Sequence, residues 1–174
     1  SRRAPPCRAR AGGEVIIIGD GGHAAVVREV IKSVLGEAWP SDDIGFVAVG
    51  DNADRKREVE AHPELQYLWW AHKTAWVSPS AEIGEGTIIM AGAVVQAGAK
   101  IGKHVILNSC CSVDHHAIVE DFAHIGPGAH LCGGVSVGEG ALVGVGVGLA
   151  PGCRISAWHL VKAQGIVVEP LSGN

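Results

Sequence analysis

A chain of 174 residues with 47% hydrophobic content holds material for one core and at most a small second unit. A formal charge of -4 excludes a broad basic surface for nucleic acid, and no apolar run approaches the ~20 residues of a membrane span. The opening SRRAPPCRAR lacks the apolar stretch of a secretion signal, so a soluble, cytoplasmic protein is expected, with neither nucleic acid nor membrane as partner.

Twenty-five glycines against 5% aromatics imply tight turns repeated many times. Five cysteines (Cys7, Cys110, Cys111, Cys132, Cys153) form no CxxC pair, which argues against zinc and against a disulfide scaffold. They read as small apolar fillers in a reducing compartment.

Residues 1–13 carry no pattern and are expected to be a disordered or vector-derived arm. A small α/β, Rossmann-like unit is predicted over 14–75. It opens with a buried strand at Val15–Ile18, a glycine turn at 19–22, and a helix placing Ala24, Val27, Val30, Ile31 and Leu35 on one face. A second strand is expected at Ile44–Gly50, followed by a short charged helix that Asn52 would cap, with residues 65–75 leading out. The turn GDGGHA reads G-x-G-x-x-A between strand and helix, a phosphate cradle or simply a tight turn. No acidic residue ends a second strand about twenty residues on, which disfavours NAD.

From Val77 the period is six. Val77, Ile83, Ile89, Val95, Ile101, Leu107, Val113, Val119, Ile125, Leu131, Val137, Val143, Leu149, Ile155, Val161 and Val167 are all Ile, Leu or Val. A small or β-branched residue follows four places after each of the first thirteen, from Ala81 to Cys153, a pattern that helical spacing cannot make. Six residues form one flat side and a turn, and three sides close an 18-residue triangular coil whose laps stack at about 4.8 Å. Residues 76–174 are therefore predicted to be a mainly β domain, a parallel β-helix of about five coils.

Stacking by eighteens sorts the outward residues. The column Ile88, Ile106, His124, Leu142, Leu160 is apolar except at His124, and an apolar stripe on a polar prism predicts a subunit contact. The columns Pro79, Ala97, His115, Gly133, Pro151 and Ser80, Gly98, His116, Gly134, Gly152 set His115 and His116 among residues with almost no side chain, predicting a groove. His115 and His124 lie half a coil apart, so one chain hardly brings both to one substrate, whereas two adjacent chains can. His104, His116 and His130 also admit a plain reading as solvated turn residues, and His159 as a residue ending the core.

The hexads, the segment ILNSCCSVDHHAIVEDFAHIGPGAHLCGGVSVG, the opening VIIIGDGGHAAVV and FVAVGDNADR together resemble the sugar acetyltransferase family of left-handed β-helices. That family includes sialic acid O-acetyltransferases and N-acetyltransferases of nucleotide-linked 4-amino sugars. The resemblance implies a left-handed coil and a homotrimer with acetyl-CoA in intersubunit grooves. It further implies His115 as general base, with His116 where relatives carry an acidic residue, and Asn108 in the same site. His124, Gly133 and Pro151 would meet the acetyl-CoA, Gly133 through a backbone N–H on the developing oxyanion. Gly21, Gly22, His23, Asp51 and Asn52 would meet the nucleotide sugar. No metal is implied. A covalent thiol route through Cys110, Cys111 or Cys132 lacks any sign of an activated thiolate. A zinc carbonic anhydrase of similar fold is disfavoured, since no two histidines in 104–159 are five apart. A β-helical scaffold with a decayed site is the alternative outside enzymes.

Overall fold

A computed structural model of the chain describes residues 15–35, 44–163 and 165–168, so the predicted arm lies outside the described residues. The first unit runs β1 (Ile16–Ile18), α1 (Gly22–Leu35), β2 (Ile44–Val47), α2 (Asn52–Ala61) and β3 (Gln66–Tyr67). Its strands form a parallel sheet in the order β1-β2-β3. Helical crossovers make such parallel pairing possible in a short chain.

The predicted elements are present, with two corrections. Val15 is buried, but Ile16 is 44% exposed and Ile17 and Ile18 are half-buried. The cause is topological, since β1 is an edge strand, whereas the central β2 is buried at all four positions. The cap of α2 is Asp51, whose carboxylate accepts the N–H of Asp54, and Asn52 is the first helical residue. On α1, Ala24, Val27, Val30 and Ile31 are buried as the helical spacing requires. The side chain of Leu35 lies outside the described residues.

The rest of the chain is a parallel β-solenoid of short strands in three sheets of six, six and five. Its first strand, Trp70–Ala71, comes one hexad before Val77 and pairs with Ile88–Ile89. Each lap takes eighteen residues: Ile106 lies over Ile88 and under His124, and Val113 lies over Val95 and under Leu131. The hexad aliphatics fill the prism together with Ala93, Ala99, Val105, Ala117, Ala123, Ala129 and Val135. Small residues are needed there because three walls converge on one narrow axis.

The laps turn through residues with positive φ, which glycine adopts freely, as at Gly98 and Gly134. Among the described residues, five corners carry a side chain in that conformation instead: His104, Cys110, His116, Phe122 and Trp158. Among the described residues, no helix is long and apolar enough to cross a membrane.

The apolar outer column has a different explanation from the predicted subunit contact. Ile88 and Ile106 are at most 1% exposed within the single chain, because α1 covers them. With Trp70 and Met90 they share a core with Val15, Ala24, Val27, Val30 and Ile31. Beyond the small unit the column opens, and Leu160 is 55% exposed. Burying each isoleucine contributes about 2 kcal/mol, so the stripe chiefly serves domain docking.

A polar clamp fixes that docking. Arg55 on α2 is 1% exposed. Its Nε donates to the carbonyl of His104 at 2.9 Å, and one terminal nitrogen donates to the Phe122 carbonyl at 2.6 Å and to Asn52 Oδ1 at 2.8 Å. The other donates to the carbonyls of Val49 at 3.0 Å and Gly50 at 3.2 Å. Asn52 donates in turn to the Gly140 carbonyl at 3.0 Å. Because 104, 122 and 140 are eighteen apart, two side chains hold the same corner of three successive laps. Outside this clamp, Lys56 pairs with Glu139 at 2.7 Å and lies over the rings of Phe122 and Trp158.

Replacing Arg55 by Met would orphan these carbonyls, at a cost of about 3 kcal/mol for charge-assisted bonds. Hydrogen exchange of Arg55→Met should show amides of α1 and α2 losing about 100-fold in protection, while those at Val113 and Leu131 keep theirs. Equal loss in both units would contradict a clamp that acts on docking.

Candidate functional site

The sequence-predicted residues gather at two vertices of the prism. At the first, the strand Ser112–Val113 ends in Asp114, whose carboxylate accepts the backbone N–H of His115 at 2.7 Å. The His115 ring lies against Gly133 on the next lap: a Cβ added there would stand 2.5 Å from its Cε1 and 2.7 Å from its Nε2. Glycine at 133 is thus required by the imidazole, since its φ is not in the left-handed region. Among the described residues, the N–H of Gly133 meets no acceptor, whereas that of Gly134 donates to the His115 carbonyl at 3.1 Å. Pro151 is exposed one lap further on.

His115 Nδ1 is 3.2 Å from His116 Nδ1, with the rings inclined at 77°. His116 leans the other way, with Cδ2 3.1 Å from where a Gly98 Cβ would stand. The small neighbours seen in the sequence therefore give each ring its place. Both histidines are exposed.

At the second vertex, Asn108 Nδ2 is 3.0 Å from His124 Nε2, and Asn108 Oδ1 accepts the N–H of Ser109 at 2.8 Å. Gly50, His23 and Arg55 of the small unit all lie close enough to the His124 ring to act on its charge. Burial, then the charge of Arg55 and the neighbouring His23, push its pKa down to about 4. His23 is likewise held below the usual imidazole range, by burial and then by Arg55, and its Nε2 is buried without a partner. His23, Asn108 and His124 thus converge, and His115, His116 and Gly133 converge, but Asn108 bonds His124 and makes no bond to His115.

In the predicted nucleotide-sugar turns, Gly19 has φ +120 and a Cβ there would meet the Ala48 carbonyl at 2.8 Å, so the fold demands it. Gly21 and Gly22 have ordinary φ, and a Cβ on either would meet nothing within 4 Å. The fold leaves these two glycines unexplained, and they border open space at the start of a 14-residue helix. Asp51 is exposed but caps α2, and Asn52 is buried with its amide and oxygen spent on Gly140 and Arg55.

Sequence reasoning missed Arg55 and misread His104. Nothing in NADRKREVEA separates the one buried arginine from its solvated neighbours. His104 is 4% exposed, stacked on Phe122 and edge-on to Tyr67, with burial pushing its pKa down to about 4. Cys111 is also buried, which pushes its thiol up to about 12 and leaves it inert near neutrality. Among the described residues, no three His, Cys, Asp or Glu side chains converge as a metal site requires.

Two surface concavities lie away from both vertices. One of about 370 Å³ is lined by Lys100, Ile118, Glu120 and Asp121. The other, of about 560 Å³, is lined by Leu65, Tyr67, His104 and Phe122.

His104 titrates from an unfolded value of 6.5 to a folded value of about 4, so its contribution is complete above pH 6.5 and is lost as pH falls toward 4. It amounts to about 3 kcal/mol at 1.4 per unit. His104→Phe keeps the ring stack without the titration. In urea melts followed at Tyr67 and α2, parent and variant should match at pH 7.5, and the variant should outlast the parent below pH 6. A constant difference across that range would contradict the assignment.

Comparison with known proteins places these vertices in context. The family described as bacterial transferase hexapeptide (six repeats) matches residues 80–115. A curated relative, the UDP-N-acetylbacillosamine N-acetyltransferase of Bacillus subtilis (strain 168), is 37% identical over 44% of this chain and 50% of its own length, so the match spans half of that protein. The acetyltransferase domain of PglB from Neisseria gonorrhoeae FA1090, in complex with acetyl coenzyme A, is 30% identical. It superposes with a TM-score of 0.84 over 93% of each chain. PerB from Caulobacter crescentus, in complex with CoA and GDP-perosamine, is 37% identical with a TM-score of 0.82, covering 95% of this chain and 93% of that one.

Proposed function

From the premise that the chain belongs to the bacterial hexapeptide-repeat transferases, we propose that it transfers an acetyl group from acetyl-CoA to the amino group of a nucleotide-linked amino sugar. The observation that carries this reading is the placement of His115 Nε2 beside Gly133, a residue with no side chain in the way and a backbone N–H that meets no acceptor among the described residues. The relatives complexed with acetyl-CoA, and with CoA and GDP-perosamine, supply the donor and the acceptor class.

The chemistry is direct acyl transfer. The neutral amine attacks the thioester carbonyl carbon, and its proton passes to His115 Nε2 as the C–N bond forms. The carbonyl oxygen, now negative, accepts the Gly133 N–H, a stabilisation of roughly 3 kcal/mol in comparable sites. Collapse expels CoA as thiolate, which recovers a proton. Pro151 borders the donor's path. Gly21, Gly22 and His23 offer an open helix start and an unpartnered imidazole to the nucleotide phosphates and sugar, with Asp51 beside them.

Because His115 and the His124–Asn108 pair occupy different vertices, the complete site takes the first from one chain and the second from its neighbour in a homotrimer. In that arrangement His124 stays neutral and presents a polar edge to the acetyl-CoA. The exposed upper part of its column, ending at Leu160, is available for the contact.

Thiol release from acetyl-CoA, followed with GDP- and UDP-linked 4-amino sugars, tests the reading. His115→Asn should lower kcat by about 10³-fold with little change in KM for acetyl-CoA. Gly133→Ala, which the backbone tolerates, should lower it by at least about 30-fold by displacing the ring, with an unchanged melting curve. Absence of thiol release with every amino and hydroxyl acceptor would overturn the proposal in favour of a scaffold. Sedimentation at assay concentration gives the trimer its own test.

A further inference from the structure

His116 stands among glycines in its stacking column, with Gly98 below it and Gly134 and Gly152 above. Its φ is +57, a conformation that side chains rarely adopt. The other side chains at such corners mostly have packing to justify them. His104 sits between Tyr67 and Phe122, and Trp158 and Phe122 lie under Lys56. His116 is exposed, and among the described residues its ring hydrogen-bonds that of His115 alone. The strain is therefore matched to a single partner, the imidazole placed to act as base.

Two Nδ1 atoms at 3.2 Å bond only when one of them carries a proton and the other does not. With the proton on His115, its Nε2 holds a lone pair facing Gly133, and His116 carries its own proton on Nε2. With the proton on His116 Nδ1, neutral His115 carries Nε2–H and cannot accept from an amine. The Asp114 carboxylate, adjacent in the chain, accepts the His115 backbone N–H through Oδ1 and makes no bond to either ring among the described residues. The facing residues Gly98 and Gly133 carry no charge. A carboxylate beside the base would hold an imidazolium in place, whereas a second imidazole can also take the proton away.

The geometry points to His116 as a proton relay between His115 and solvent, a role that rests on the acetyl-transfer reading above. In forward transfer, the amine N–H breaks and Nε2–H forms on His115. The Nδ1 proton of His115 moves to His116 Nδ1, and the Nε2–H of His116 breaks to water. The charge thus leaves the acyl site, and His115 is left neutral with a proton on Nε2. When that proton passes to the departing CoA thiolate, the Nδ1 proton returns from His116 and water restores its Nε2–H. Each proton that leaves is replaced, and no other reactant is needed.

His116→Asn separates holding from relaying, because an amide oxygen accepts the His115 Nδ1–H but cannot pass a proton on, and Asn tolerates this backbone. We expect kcat to fall at least tenfold with both KM values unchanged, and the loss to be restored by rising concentrations of small imidazole buffers that leave the parent's rate unaltered. Long-range nitrogen NMR of the free protein should find His115 protonated on Nδ1 in the parent and in His116→Asn, and in mixed forms in His116→Gly. An Asn variant as fast as the parent, or slow without buffer rescue, would overturn the relay. A parent that transfers no acetyl group fails the function reading instead. In that event the tautomer measurement still decides the pair, and a proton on Nε2 of His115 rejects it.

Discussion

A guanidinium enclosed by carbonyls, with no carboxylate bonded to it among the described residues, sets the geometry on which the docking of the small unit beside His124 rests. Arg55 spends its donors on four backbone carbonyls and one amide oxygen within 3.2 Å, and these acceptors belong to both units of the chain. Burial lowers its pKa to about 10, and Asp51 works in the opposite direction, so it stays charged at neutral pH. Oriented carbonyl dipoles take the place of water around it. Its charge also bears on His23 and His124, helping to hold both neutral. The group that docks the small unit also holds the Gly50 carbonyl, and its charge adds to burial in keeping His124 neutral.

The triangular lap decides everything else about position. Eighteen residues per lap puts Gly133 over His115, and nine residues puts His124 half a lap away. A residue at one vertex therefore has two sorts of neighbour: laps above and below in its own chain, and whatever packs against the prism from outside. At the His124 vertex the outside neighbour is the chain's own α/β unit. At the His115 vertex, among the described residues, the chain provides none. In the proposed trimer a second prism supplies it.

The repeat was legible because each hexad aliphatic has one possible direction, inward, and a register that slips by one would expose the whole set. The pairing Val113 over Leu131 follows from that alone. The small unit was legible by its strand–glycine–helix pattern, though the exposure of β1 was not, since the sequence does not say which strand lies at an edge. The apolar column was read as a subunit contact, and at Ile88 and Ile106 the covering comes from the chain's own small unit, because composition cannot say whose side chains do the covering. Arg55 was hidden by its own helix, where a buried arginine and a solvated one are spelled alike. Asn52 was expected at the cap and is found one residue further on, where its amide crosses to another lap, a long-range contact with no local signature. The local grouping of His115, His116 and Gly133 was visible in the stacking columns, whereas the bond from Asn108 to His124 depends on side-chain direction across two corners.

The corners themselves sort structure from chemistry. Where a lap turns through glycine, the backbone alone explains the residue. Where it turns through a side chain at positive φ, something has to offset the strain. Phe122, His104 and Trp158 are offset by docking, since they form the surface that Tyr67 and Lys56 cover. Nothing in the structure explains Cys110, which is exposed at such a corner. Among the described residues, His116 is offset only by its bond to His115, and that bond forms only when one of the two Nδ1 atoms carries a proton and the other does not. A strained residue whose sole compensation depends on where a neighbour's proton lies is tuned to that proton, and in this chain the proton belongs to the imidazole that faces Gly133.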